Sequence, residues 1–377
     1  MIERFTASVY LLAAALAGPL PAQASAQTSD GPPVVVTGVR PLAPGEKPSA
    51  WKRAEAEHVV VYSDGSEDQL RRIASNIERL HVLLARLYPL GKDREEPARL
   101  KVVLFDKRSE MNSLGLYNPR VEDGPYARPF VGERYYDPRP DGSLLALPRT
   151  GQIVKLDTSK ARIADCEDFL ATAMGKDCLD QFPPPSHEPI TRSWESILYG
   201  AYAQHVVFNH APAIYPRWYF DGIGAFFSTV VFKNDGSLEY GRPPANYRQV
   251  LRSYGRLNTA AVLTGEYLHN PSMRMNWTPY HAWVLTHFFI FSKLKAKEAA
   301  QFRQYMTEIA QGQTMEQAAK AFGKMKPLRY HVMSYAERSH EYASTRKSEP
   351  EPPPPVVPLS QPATAAFLAS LAPSPSM

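Results

Sequence analysis

Ile197-Leu198-Tyr199-Gly200-Ala201-Tyr202-Ala203-Gln204-His205, followed after a proline-marked turn by Pro216-Arg217-Trp218-Tyr219-Phe220-Asp221-Gly222-Ile223-Gly224-Ala225-Phe226-Phe227, is the stretch on which the reading of this chain turns. Trp194, Ile197, Leu198, Ala201, His205 and Phe208 recur at near-helical spacing, so they share one side of a helix. Pro212 and Pro216 interrupt the pattern, and a second helical segment follows from Trp218 to Phe227.

Upstream, His58 to Ser63 is a β-branched run suited to a strand, and Ser66 with Gln69 three residues on forms a capping box that opens a helix. Leu70, Ile73, Ile77, Leu80, Leu84 and Leu87 then lay one apolar stripe along that helix, which Pro89 and Gly91 end. Leu100 to Phe105 predicts a second strand, and Tyr135-Tyr136 and Leu144-Leu145 mark short ones in a Gly- and Pro-rich segment. Lys155 to Thr191 reads as an irregular insertion. Downstream, Tyr280–Leu294, Ala299–Ala310 and Met315–Phe322 predict helices. Residues 27–50 read as a flexible linker. Residues 343–377, with Pro352 to Pro355, read as a disordered tail too poor in apolar surface to order itself.

These motifs in this order resemble the peptidase-MA-like, or gluzincin-like, domains of secreted bacterial proteins. The family's first helix looks like "lyHEyaHh" and its second like "P-W-x-x-E-G-x-A-e-y-f". Asn234-Asp235-Gly236-Ser237 and Gly241-Arg242-Pro243-Pro244 match its continuation, and Tyr280-His281-Ala282-Trp283-Val284-Leu285-Thr286-His287-Phe288 matches a later helix. The resemblance covers roughly residues 51 to 339. It implies an α+β, zincin-like fold: a small mixed sheet with a long helix over 51–192, which includes the insertion, then a helical part over 193–342.

Such a site needs two histidines at i and i+4 to hold Zn²⁺, a glutamate beside the first to activate water, and a glutamate on the next helix as third ligand. Here those positions are Gly200, Gln204, Ala201 and Asp221. A glycine offers no ligand atom, an amide is neutral, and an alanine accepts no proton, so the resemblance implies no metal and no cofactor. Relocation finds little support, because His205 and His210 lie about 140° apart on a helix. Nor does a shifted register help: the only His-Glu pairs, His187-Glu188 and His340-Glu341, have Thr191 and Ser344 where the second histidine would be. Gly200 itself reads as relaxed constraint, since a mid-helix glycine costs about 1 kcal/mol against alanine. Tyr202, His205, Trp218 and Tyr280 are candidates to line a remaining cleft, although an aromatic cluster at helical spacing equally describes a core.

Of 377 residues, 44% are hydrophobic and 21% charged, and the formal charge is +5, so a large core is expected and nucleic-acid binding is not. Val9 to Leu20 is apolar, and Ala22-Gln23-Ala24 and Ala24-Ser25-Ala26 offer cleavage sites, which predicts a signal peptide over residues 1–26 despite Glu3 beside Arg4. The mature protein is then periplasmic or secreted, with no transmembrane segment. In that compartment Cys166 and Cys178 are expected to form one disulfide. The sequence thus predicts an exported, non-catalytic protein that binds a peptide or cell-envelope partner. A zinc-dependent hydrolase with substituted ligands is the alternative.

Overall fold

The computed structural model describes residues 42, 45–88, 99–116, 134–139, 142–154, 190–210, 214–245, 247–253, 257–270, 273, 277–292, 294, 296–338, 340–347 and 352–372. The chain is α+β, built on a mixed six-stranded sheet. Strands β1 (Pro48–Glu55), β2 (Val59–Ser63), β3 (Leu100–Phe105), β4 (Tyr135–Asp137), β5 (Leu144–Pro148) and β11 (Val356–Ser360) lie in the order β11-β1-β2-β3-β5-β4. The central β2, β3 and β5 are mutually parallel, while β1, β4 and β11 pair antiparallel.

The apolar runs of the central strands follow from burial on both faces. Val59 and Val61, Leu100, Val102 and Leu104, and Leu145 and Leu147 face the main core. Their alternates Val60, Tyr62, Val103, Phe105, Leu144 and Ala146 face a second, smaller one. The first face is covered by helix α1 (Glu67–Leu87), whose predicted stripe is buried throughout and whose Ser66 side chain accepts from the Gln69 backbone N–H. Helices α2 (Trp194–His210), α3 (Arg217–Phe227), α4 (Pro279–Phe291), α5 (Ala296–Ala310) and α6 (Met325–Ala336) follow. Residues of all these helices join strand residues in one continuous core, so the packing has no break at residue 192.

Two expectations are corrected here. The segment read as linker to residue 50 already contributes β1 from Pro48, a strand held between β2 and β11 with Ala54 fully buried. The tail read as disordered supplies β11 and helix α7 (Gln361–Ser370), which covers the second face of the sheet. Its proline content is compatible with order because β11 is an edge strand, where Pro358 interrupts no interior ladder. Leu359 and Leu371 are buried, and Phe367 stacks on Tyr62 at 4.0 Å between ring centroids. Composition missed this because a few well-placed apolar anchors, rather than the average, decide docking. Ala343–Ser344 forms β10, which joins β8 (Val231–Phe232) and β9 (Leu238–Tyr240) in a three-stranded sheet.

Arg139 fastens the end of α7: its guanidinium donates to the carbonyls of Ser370 at 2.9 Å, Leu371 at 3.0 Å and Ala372 at 3.1 Å, and its Nε to Asp137 at 2.8 Å. These carbonyls have no partner within the helix, so a cation suits them. Arg139→Ala is expected to cost about 1–2 kcal/mol and to speed proteolysis between residues 356 and 372. An unchanged cleavage rate would argue against a docked tail.

Strands β6 (Gln152–Val154) and β7 (Ile190–Arg192) pair antiparallel and close the base of the segment read as an insertion. Cys166, Cys178 and the signal peptide lie outside the described residues. Among the described residues no helix is long and apolar enough to cross a membrane.

Candidate functional site

Helix α2 opens directly after β7, with the Ser193 hydroxyl accepting from the Ser196 N–H at 3.1 Å. Helix α3 opens after Pro216, whose carbonyl accepts from the Tyr219 and Phe220 N–H groups. Helix α4 begins with Thr278 as cap, Pro279 in its first turn and a capping box closed by His281. These local signals set three helices side by side, and glycines set how closely they approach.

A Cβ on Gly200 would stand 2.5 Å from the Gly224 carbonyl oxygen, closer than real Cβ atoms come to any neighbour. A Cβ on Gly222 would meet Thr286 Oγ1 at 1.8 Å and the Ala282 carbonyl at 3.0 Å, and one on Gly224 would meet the Gln204 amide nitrogen at 2.5 Å. Gly200 is therefore a packing residue and not a sign of relaxed constraint, which corrects the expectation from its helix propensity. Its missing side chain lets α2 lie directly on the backbone of α3.

The other positions that the resemblance aligns with metal-site residues are equally occupied. Ala201 is buried. Gln204 donates through Nε2 to the Phe220 carbonyl at 3.1 Å and accepts through Oε1 from Arg134 Nη2 at 2.7 Å. Asp221 accepts from Arg217 Nε at 3.0 Å and from the Trp277 indole at 3.3 Å. No three His, Cys, Asp or Glu side chains come together in a metal-binding group among the described residues.

The residues named as possible cleft lining separate. Trp218 is fully buried, with its indole N–H donating to Tyr305 Oη at 3.0 Å, so it belongs to the core behind α3. Tyr202 points to the other side of α2, where its hydroxyl bonds His81 Nδ1 at 2.9 Å; His81 stacks on His58, which is bonded to Glu78 at 2.7 Å. Neither lines an open surface. His205 is buried and bonded to Tyr136 Oη at 2.9 Å and Asn209 Nδ2 at 2.7 Å. Tyr280, in the first turn of α4, is buried as well, and burial pushes its phenol pKa up while the Arg192 charge opposes the rise.

What sequence reasoning missed is a group of arginines around Gln204, Asp221 and Tyr280. Arg134 immediately precedes β4, Arg192 ends β7 and Arg217 begins α3. Arg134 and Arg192 are half-buried, and Arg217 is exposed. Burial and then the neighbouring charge of Arg192 press the Arg134 pKa down to about 10, with Asp221 acting the other way and Arg217 adding to the repulsion. Burial likewise lowers Arg192. No local pattern could have signalled this cluster, because its members come from segments separated by tens of residues. Comparisons with protein families, curated proteins and solved structures find no match for the chain.

Proposed function

We propose that this chain is an exported, non-catalytic binding protein on a gluzincin-like scaffold, taking an extended peptide or a cell-envelope partner beside the emptied motif. The single observation that carries the reading is the Gly200–Gly224 approach: the room a first metal ligand would need is taken by the backbone of α3. The Gln204 amide, at the second ligand position, is committed on both its atoms. A carboxylate alone, that of Asp221, does not supply the three or four donors that zinc requires. The scaffold assignment is supported by the resemblance together with the element order: a sheet and long helix first, then the paired α2 and α3, then α4 carrying the later motif.

An extended partner suits β4, which among the described residues stands at one edge of the six-stranded sheet, paired with β5. Edge strands offer unpaired N–H and C=O groups on which another strand can be added. Export rests on the apolar stretch and small-residue sites of the first 26 residues.

The test is metal analysis of the purified chain from residue 27 after incubation with zinc and removal of excess. The expected result is far less than one zinc per chain and no chelator-sensitive cleavage of a fluorogenic casein. Stoichiometric zinc that is lost in Asp221→Ala or His205→Ala would favour the substituted-ligand hydrolase instead.

A further inference from the structure

We propose that the surface formed by β1 and the second face of the sheet is a docking site for segment 356–372 of a second copy of this chain, so that two copies assemble by exchanging β11 and α7. The segment is a self-contained unit: β11 runs into Ser360, whose side chain caps α7 by accepting from the Ala363 N–H, and Pro362 sits in the first turn. It seats through a compact set of contacts. Phe367 stacks on Tyr62 and meets Trp51 at 6.0 Å between ring centroids, and Thr364 Oγ1 bonds Ser49 Oγ at 2.6 Å. Leu359 and Leu371 are buried in the second core, and Arg139 holds the last carbonyls of α7. A second copy carries the same segment, so the exchanged contacts are the same ones, and only the connection through residues 345–355 differs.

Opening is eased where the segment meets β1. Pro48 and Pro358 have no backbone N–H, and the β1–β11 register shifts between Pro48 and Lys52, so the ladder is incomplete. The connection is also stiff: Pro352 to Pro355 favour an extended helix of about 3.1 Å per residue, an arm that reaches a neighbour as readily as it folds back. No Asp, Glu, Lys or Arg occurs from Pro352 to Ala372, and Ala365, Ala366 and Ala369 are exposed on α7, so two exchanged segments bring no like charges together. Once the segment lifts, Trp51, Tyr62 and Phe105 lose cover, and burial of this apolar face drives recapture by whichever segment is nearer. The connection then sets only an effective concentration, on the order of millimolar for a short flexible linker, and a second copy competes as the protein approaches it.

The experiment places Ser49→Cys and Thr364→Cys in separate chains from residue 27, which are mixed in equal amounts, incubated and oxidised. Mass spectrometry of the digest identifies the 49–364 disulfide. The expected result is a covalent dimer joined at those positions, with a yield that rises about tenfold or more from micromolar to near-millimolar protein. Both substitutions in one chain are expected to close within that chain at micromolar concentration. Arg139→Ala loosens contacts common to both arrangements, so it is expected to speed the exchange and leave its final yield unchanged.

Absence of the interchain product near millimolar protein, with the double variant closing within its own chain, would overturn the proposal. So would an equal yield from Ser49→Cys mixed with Ala366→Cys, whose position is exposed, because that is what random collision gives. A final yield altered by Arg139→Ala would show that the interchain contact is a different one, with the same consequence. Failure of the double variant to close would remove the docked segment and the proposal together.

Discussion

Gly200→Ala and Gly222→Ala are each expected to lower stability by about 3 kcal/mol, read as a fall in the urea midpoint. Helix propensity alone predicts the opposite sign, a gain of about 1 kcal/mol for each glycine replaced by alanine inside a helix. The contact decides between them. At position 200 the new methyl meets a backbone carbonyl at 2.5 Å, and at 222 it meets Thr286 Oγ1 at 1.8 Å; neither obstacle is the far end of a flexible side chain. Relief then requires moving a helix, which disturbs Trp218, Phe226 and Trp283 in the same core. Gly224→Ala is expected to cost less, because the Gln204 side chain can swing aside, although it then gives up Arg134. The same geometry predicts that Gly200→His, Ala201→Glu and Gln204→His combined will destabilise the fold without gaining zinc. A stabilised Gly200→Ala would show that α2 and α3 are further apart than described, and would reopen the metal question.

Acidification should begin to destabilise the protein from about pH 6.5, above the range in which carboxylates protonate, because two buried histidines are held neutral. His287 is fully buried, with Nε2 donating to the Glu341 carbonyl at 2.9 Å and Nδ1 at 2.7 Å from the Tyr335 hydroxyl. Its ring lies between Phe291, at 4.4 Å, and Trp283, at 4.5 Å. Burial first and the neighbouring His340 second push its pKa down to about 3. His340, packed against Trp283, Tyr335, Tyr247 and His287, is pushed down to about 4 by burial and by the charge of Arg248.

In the unfolded chain both imidazoles return to about 6.5, so between pH 6.5 and 4 the unfolded state binds more protons than the folded one. Stability is therefore full above pH 6.5 and falls with pH, by on the order of 5 kcal/mol at pH 4. Glu78, whose pKa burial pushes up but whose bonds to His58 together hold it below the ordinary value, also weakens the fold on acidification, but only below the ordinary carboxylate range. Urea titrations at pH 7.5, 6.0, 5.0 and 4.5 separate the two contributions. His340→Phe should flatten the fall between pH 6.5 and 5, and a profile already flat there in the parent protein would refute the assignment.

Much of the fold was legible because the information is local. The α1 stripe from Leu70 to Leu87, its Ser66 cap, and the apolar runs of β2, β3 and β5 each express a period or a capping geometry contained in a few consecutive residues. The absence of an intact His-Glu-x-x-His was legible for the same reason, since it is decided by a few consecutive letters. The tail was misjudged because composition averages over residues: Pro352 to Pro355 outweighed Leu359, Phe367 and Leu371, which find their places on β1 and Tyr62 some three hundred residues earlier.

The sequence by itself thus determined the central strands and the long helix, the α+β class and the absence of His-Glu-x-x-His. Only the tertiary structure decided what Gly200, Ala201, Gln204 and Asp221 do, because that depends on which distant backbone each side chain meets. The role of Gly200 is defined by Gly224, that of Gln204 by Arg134, and the charge on the site by arginines arriving from the edge of one sheet, the end of another and the start of a helix. Spacing along a chain encodes which faces are apolar; it does not encode how near two helices lie or which charges are brought together when they pack.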